Sequence, residues 1–531
     1  MVSGFPSIYN DVIGPVMRGP SSSHCAAAVR IGRLARDLMG GRIGRVLMEF
    51  DSKGSLAFTH ASQGSDMGFL GGLMGWDARD DRLLDSATAA RDAGIEAEIR
   101  VTDFGDPHPN TYRLTLSNPA ERHTMVALST GGGMIELVEI DQVPLSIKGD
   151  YFETLVAVGS PTEGFAGLAN LAKAAAEQTH VRQGSKMALV QIQSRAPLPN
   201  FVMAGLAAWP GVLWIRALAP VLPILSRRHL RVPFITSAEM LAYQPEEGLD
   251  LGRLALRYES ARGGIPEAEV FRRMVEIVRT LRASITEGLE GTAFQNRILG
   301  FQSGGYVSAK RSGRLLDAGL MDTVIAYVTA LMEVKSAMGV IVAAPTAGAC
   351  GALPGAVIGA ADGMQLDEEE MARALLAAGM LGVFICARST FAAEVCGCMA
   401  ECGSAAGMAA AALVTLAGGS AHQAVDAAAM ALQNMVGLAC DPVAGRVEVP
   451  CLGKNVLAAA NALACANMAL AGYDAVVPLD EVIAAMDRAG RSLPMELRCT
   501  GLGGLATTAT SRTIEKKLAA PTTAVKTGGR P

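Results

Sequence analysis

The stretch Cys402-Gly403-Ser404-Ala405-Ala406-Gly407-Met408-Ala409-Ala410-Ala411-Ala412-Leu413-Val414-Thr415-Leu416-Ala417 carries no charge and almost no bulk. It opens a segment, 404–472, in which only Asp426, Asp441, Arg446, Glu448 and Lys454 are charged. A segment so poor in charge cannot form a surface in water, so it belongs to a core. That core could lie in protein or in lipid. Residues 336–361 are likewise uncharged, yet they contain Pro345, Pro354 and a run of glycines. A spanning helix wants about 20 predominantly apolar residues, not small neutral ones broken by turn formers. The expectation is therefore a buried helical core with no membrane contact. No signal-peptide pattern is visible, and a soluble, cytoplasmic protein is expected.

Working outward, helical spacing predicts helices over 270–289, 322–334, 367–383, 403–417 and 421–439. A basic, proline-bearing stretch at 226–233 reads as a linker. Ahead of it lies a smaller α+β unit, with strands at 154–158, 186–192 and 212–217 and helices at 165–178 and 201–207. Residues 1–150 mix a helix at 24–38 with strands at 45–50 and 96–101, and Gly131-Gly132-Gly133 breaks the chain. The polar tail over 519–531 is expected to be disordered. A chain of 531 residues suggests about three domains. Half of it is apolar and 18% is charged, which excludes a mainly disordered protein. The net charge is −5 and no basic run occurs, which excludes nucleic acid as a partner.

Nine of the ten cysteines lie between 350 and 499. Cys398 sits in Gly397-Cys398-Met399, and Cys440 opens a Pro/Gly-rich loop that ends at Cys451. Such thiolates can converge on a soft metal, an iron–sulfur cluster or a four-thiolate zinc, or they can simply pack. Ala344-Pro345-Thr346-Ala347-Gly348 reads as a tight loop at a helix end, able to hold a carboxylate or to serve as a plain helix–helix turn. Gly19-Pro20-Ser21-Ser22-Ser23-His24 precedes a helix. Its hydroxyls suit capping, and its histidine, kept neutral at a helix start, suits a general base. His60, His123, His180, His229 and His422 read as structural.

Together these motifs resemble the bacterial iron–sulfur L-serine dehydratases (L-serine ammonia-lyases), in the form with separate β and α subunits, here fused. Residues 7–220 resemble the β subunit through Ile13-Gly14-Pro15-Val16-Met17, Gly19 to His24, Gly54-Ser55, His108-Pro109-Asn110-Thr111 and Gly131-Gly132-Gly133. Residues 233–518 resemble the α subunit through Gly288-Leu289-Glu290-Gly291, Ala344 to Gly348, Gly403-Ser404-Ala405, Gly437 to Cys451 and Thr500-Gly501-Leu502-Gly503-Gly504. The resemblance implies a multidomain α+β fold. Its parts are an α+β β-type domain over 1–152, an ACT-like (ferredoxin-like) domain over 153–222, a linker over 223–233 and an all-helical catalytic domain over 234–518. It implies a [4Fe-4S] cluster on Cys398, Cys440 and Cys451, one iron being an open Lewis acid, and a homodimer or higher homo-oligomer. Ser21, Ser55, Thr346, Ala347 and Gly348 are the implied contacts to a small β-hydroxy acid. Ser22, Ser23 and His24 are the implied catalytic groups, with His24 the candidate base. The implied reaction turns L-serine into pyruvate and ammonia.

The sequence also departs from that family. Ser62-Gln63-Gly64-Ser65-Asp66 stands where the family has Gly-His-Gly-Thr-Asp, and Ser303-Gly304-Gly305-Tyr306 where it has Thr-Gly-Gly-Asp. Ala387-Arg388-Ser389-Thr390-Phe391 replaces Asn-Ala-Ser-Ile-Ser, and Cys499 replaces the Glu of Arg-Glu-Thr. A lost Asp and a gained Arg favour carboxylate over ammonium, since Arg pairs bidentately with carboxylates. Arg388 and Ser389 thus become expected substrate contacts. The change points to a β-hydroxy diacid such as 2-(hydroxymethyl)glutarate, dehydrated to 2-methyleneglutarate by a related enzyme. A cysteine lyase and a non-catalytic ACT-type sensor are further alternatives. Cys499 is a candidate fourth cluster ligand.

Overall fold

The computed structural model describes residues 5–159, 165–243 and 250–519. Residues 160–164 and most of the tail expected to be disordered, from 520 on, lie outside the described residues.

Strand β1 (Val16–Arg18) stands apart from the first sheet. That sheet is built from β2 (Arg45–Asp51), β3 (Glu96–Thr102), β4 (Thr111–Ser117), β5 (Arg122–Gly131), β6 (Met134–Ile140) and β7 (Val143–Ile147). Their order is β3-β2-β4-β5-β6-β7, and only β2 and β3 run parallel. Four of these strands were not predicted. Along β4 the buried Tyr112, Leu114 and Leu116 alternate with Arg113, Thr115 and Ser117, the period of a half-buried strand. In β5 the inward positions include His123 and Ala127, which blur that pattern.

The Ala27–Leu38 and Ser65–Leu73 helices pack on this sheet. They cross closely, because Gly32 lies against the Phe69 carbonyl and Gly72 against that of Val29. The first helix begins three residues later than predicted, since Ser22–Ala26 winds as a wider π-type turn. Ser21 makes no capping hydrogen bond there; the serine hydroxyls are used elsewhere.

A second sheet contains β8 (Phe152–Gly159), β9 (Gln178–Gln183), β10 (Met187–Ser194) and β11 (Val212–Leu218). With helices Phe165–Ala172 and Asn200–Ala207 the chain order is β-α-β-β-α-β, and the spatial order is β11-β8-β10-β9, all antiparallel. The helix expected to reach 178 stops at Ala172, and the edge strand β9 begins at Gln178.

The rest is helical apart from β12 (Val340–Val342). Predicted helices appear as Glu267–Glu290, Leu320–Ser336, Glu368–Arg388, Cys402–Leu416 and Ala421–Met435. The Glu368–Arg388 helix is long and apolar enough to cross a membrane, but most of it is buried within this helical unit. The uncharged 336–361 run resolves into a helix end, β12, a short 3-10 turn and a buried helix, Ala352–Gly363.

The expected N-terminal domain does not keep all its own residues. Ile8, Tyr9, Val12 and Ile13 belong to the large helical core, not to the sheet. The Glu259 carboxylate accepts from Ser7 Oγ (2.5 Å) and Ile8 N (2.8 Å), and β1 pairs with β12. Ile224, in the expected linker, is buried in the same core and exchanges two hydrogen bonds with Asn10. The N-terminal segment thus straps the two halves together. Gly379 and Gly382 give it room, since side chains there would meet Ile8 and Val12. Gly382→Ala should therefore cost about 1–3 kcal/mol in denaturant unfolding, as overpacking does. Gly453→Ala, in a helix with nothing near its missing Cβ, should stabilise by about 0.5 kcal/mol. Equal effects would mean that the strap does not pack as described.

Candidate active site

The cysteines are presented by turns. Gly397 takes φ +67°, a left-handed conformation, just before Cys398, and the Cys402–Leu416 helix starts four residues beyond that thiol. Cys440 lies beside the chain at 497–499. Its N–H donates to the Leu497 carbonyl and its own carbonyl accepts from Cys499 N, both at 2.9 Å. Cys451 is the first residue of a 20-residue helix. All these cysteines are buried and none is in a disulfide.

The sulfurs of Cys398 and Cys440 and a carboxylate oxygen of Glu401 lie within 4.8 Å of one another. Cys402 and Cys440 both donate to Cys398, which holds its thiol well below the ordinary range and theirs above it. Cys499 hydrogen-bonds Cys440 on its far side. Cys451 stands outside the 4.8 Å group but is close enough to feel the charges of Cys398 and Glu401; burial pushes its thiol up. Cys396 turns away and packs on Asp487 and Gly490, and Cys465 meets Asn434 and Asn461.

Two lysines offset the negative charge. Lys335 is fully buried and donates to the Val447 carbonyl. Lys454 donates to the Ala439 carbonyl (2.7 Å) and Asp441 (2.8 Å). Burial works against the Lys454 cation, but Cys398 and Asp441 outweigh it and raise its pKa. Glu401 accepts from Thr346 Oγ1 at 2.7 Å, and burial, then the Cys398 charge, push it up to about 8. Gly348 lies against that carboxylate, where a Cβ would come within 2.8 Å of it. Asn455 fixes the same loop by donating to the Gly348 carbonyl and accepting from Gly351 and Ala352 N–H.

The other wall comes from the N-terminal half. Ser22 Oγ accepts from Ala347 N–H (3.1 Å), and Ser23 Oγ donates to Glu394 (3.2 Å). Asn110 Nδ2 also reaches Glu394, at 3.3 Å. The charge of Glu394 is felt at His24, His108, Glu401 and Cys499, which puts it at the meeting point of both walls. Gln63, standing where the family has His, donates to the Gly445 carbonyl in the Cys440–Cys451 loop.

His24 is fully buried, with Nδ1 3.0 Å from Ser21 Oγ and 3.2 Å from Ser23 Oγ, and Nε2 2.7 Å from Thr59 Oγ1. Thr59 gives its own proton to the Ser55 carbonyl (2.6 Å), so it accepts from His24. That assigns the proton to Nε2 and the lone pair to Nδ1, facing the two serines. Burial lowers the His24 pKa to about 4, leaving the ring neutral. Ser55 contributes through this chain.

Arg388 and Ser389 are not drawn to the thiols. Arg388 pairs with Asp480 (3.0 Å) and Ser389 Oγ with Asp487 (2.9 Å), at a separate cavity of about 490 Å³ that none of the expected cluster cysteines lines. Tyr306 is tied to Asp322 at 2.9 Å. Sequence reasoning missed Glu394, Glu401, Thr59 and Lys335. Glu401 lies three residues after Cys398, whereas the others had no local signal.

A family model described as serine dehydratase alpha chain matches residues 235–506. A probable L-serine dehydratase alpha chain of Bacillus subtilis is 42% identical over 250 residues, 47% of this chain and 83% of that protein. The L-serine dehydratase alpha chain of Peptoniphilus asaccharolyticus is 36% identical over 283 residues, covering 53% of this chain and 97% of its own. A probable L-serine dehydratase beta chain of Bacillus subtilis is 35% identical over 214 residues, 39% of this chain and 96% of that one. With both α-type and β-type segments in one polypeptide, this chain belongs to the serine dehydratase family.

Proposed function

We propose that this protein is a hydro-lyase that removes water from L-serine, giving pyruvate and ammonia, with a [4Fe-4S] cluster held by Cys398, Cys440 and Cys451. The observation that carries this reading is the meeting of two thiols and a carboxylate within 4.8 Å, facing the serine–histidine loop of the other half. Relatives named L-serine dehydratase support it. Thiolates are the donors that iron–sulfur clusters and zinc prefer. A further pair of thiols, Cys402 and Cys499, with the buried Lys335 and the half-buried Lys454, suit a multi-iron group with net negative charge better than a lone zinc. When bound, the cluster would supply an open Lewis-acid iron that draws on the substrate's carboxylate and β-hydroxyl.

The protein's residues do the rest. The loop Thr346, Ala347 and Gly348 receives the substrate carboxylate, helped by Ser21. Glu394 offers the ammonium group a negative partner, as it has no cation within ion-pair distance among the described residues. The α-proton leaves toward Ser23 Oγ, whose own proton turns from Glu394 to the lone pair on His24 Nδ1, 3.2 Å away. The β-hydroxyl departs, and the enamine that forms tautomerises and is hydrolysed to pyruvate and ammonia. The pairing of Arg388 with Asp480 takes away one of the two grounds for a diacid substrate, and Tyr306 in place of the family's Asp remains the other. The β-α-β-β-α-β unit supports an ACT-like assignment over 153–222, between a β-type domain at 1–152 and a catalytic domain at 234–518.

Iron and sulfide analysis of anaerobically purified protein should give about four irons per chain with broad absorption near 410 nm, as sulfur-ligated iron shows. Cys440→Ser should lose most of that iron and Cys465→Ser none; zinc in place of iron would sink the cluster. Turnover should be measured on L-serine, L-threonine, L-cysteine and 2-(hydroxymethyl)glutarate, with L-serine the best. Glu394→Gln should raise KM for L-serine at least about tenfold, the worth of a charged hydrogen bond. Arg388→Ala should leave both acids within about twofold, and a steep rise for the diacid alone would restore that substrate. His24→Ala should lower kcat by about 100-fold or more with iron content intact, the range of general-base catalysis; unchanged turnover would remove it from the proton path.

A further inference from the structure

A second cavity, of about 410 Å³, lies where the N-terminal strap, the Ala27–Leu38 helix, the segment after β11 and the Glu267–Glu290 helix meet. Its volume suits a small molecule. Val29, Val221, Leu222 and Ile277 supply apolar wall. Arg30, Arg33, Arg79 and Arg273 also line it, against two carboxylates, Asp77 and Glu276. Several of these charges are already matched. Arg273 holds Glu269 at 2.8 Å, Arg272 holds Glu276, and Arg79 stands 3.8 Å from Asp77.

Two cations are left over. Arg33 has no hydrogen-bond or ion-pair partner among the described residues. Arg30, 5% exposed, spends only Nη1, on the Gly133 carbonyl at 2.5 Å and the Met134 sulfur at 3.8 Å. Burial lowers the Arg30 pKa to about 10, so it stays charged near neutrality. The charges of Asp11 and Asp77 reach Arg30 only through space, with no carboxylate in contact, and an anion bound directly relieves more of the cost of burying a guanidinium. Arg30 and Arg33 are three residues apart on one helix, so they share a face.

We propose that this cavity is a binding site for a small carboxylic acid, its carboxylate held by Arg30 and Arg33 and its apolar body resting on Val221, Leu222 and Ile277. The site touches both halves of the chain. Arg30 also ties it to the Gly131–Gly133 turn, which lies against Ala392 and the Pro345 carbonyl beside the candidate active site. Occupancy therefore braces the seam on which the candidate active site is built, independently of any cluster.

Calorimetric titration of the full-length, anaerobically purified chain tests the site with sodium valerate, valeramide and inorganic phosphate. Valerate should saturate at one per chain and raise Tm, phosphate should bind more weakly, and valeramide should not bind. Arg33→Ala should weaken valerate about tenfold or more, as loss of a charge-assisted hydrogen bond does. Thr280→Trp, filling the cavity from its rim, should abolish binding, and both variants should keep basal turnover. The proposal fails if valerate does not saturate, or binds both variants like the unaltered protein. It fails equally if valeramide matches valerate, or if phosphate alone binds. A stable dimer insensitive to valerate and broken by Arg33→Glu would assign the face to a second copy instead.

Discussion

Lys335 is fully buried, and its ammonium meets the Val447 carbonyl but no carboxylate at ion-pair distance among the described residues. An uncompensated cation in a protein interior costs several kcal/mol. It is tolerable here because negative charge is due nearby: its field eases ionisation of Cys350, Cys451 and Glu401. Lys454, anchored by Asp441, does the same for Cys398. Cys398 is eased into its thiolate first by the hydrogen bonds from Cys402 and Cys440 and then by Lys454, while burial holds Cys451 above the ordinary range. Lys454 already has Asp441, so Lys335 is the cation that gains most from negative charge at the thiols. This balance distinguishes the pocket from a set of small hydrophobic cysteines, which is how most buried free thiols behave.

A pocket of that kind must be kept dry by close packing, and the small residues that open the sequence reading provide it. The Cys402–Leu416 helix is buried nearly along its whole length between its neighbours, because Ala and Gly let backbones approach. Gly288 lies on the backbone of Ala330 and Gly355 on that of Val328. The same economy explains the scarcity of aromatic residues, for which such a core has little room. Long uncharged runs are thus accounted for by helix-on-helix burial, and the one helix among the described residues both long and apolar enough to cross a membrane is one of these core elements.

What could be read from one chain follows from where each contact lies. Cys398 and Cys440 were candidates by their Gly/Pro-rich turns and were singled out by the family resemblance, and helices with apolar periodicity were placed to within a few positions. Glu394, Thr59 and Lys335 could not be found that way, since their meaning comes from partners such as Ser23, His24 and Val447 that lie far away in sequence. Arg388 shows the converse. Its residue type suggested a carboxylate pocket, but Asp480, 92 positions on, already occupies it. The strap at 5–13 reads as the start of the first domain and yet packs in the last, because its apolar residues fit beside Gly379 and Gly382.

The candidate site therefore belongs to neither half. One wall, the Ser21 to His24 loop with Asn110, is β-type; the other, Thr346 to Gly348 with Glu394 and Glu401, is α-type. Geometry across such a seam must hold within about an ångström for the proposed proton transfer. Relatives that carry the two parts as separate chains must reach it by association. Here the covalent linker makes the meeting intramolecular, which raises the effective concentration of one wall for the other. The strap, the β1–β12 pair and the Asn10–Ile224 exchange then fix orientation, which a flexible linker alone could not do. Fusion supplies proximity, and the strap supplies register.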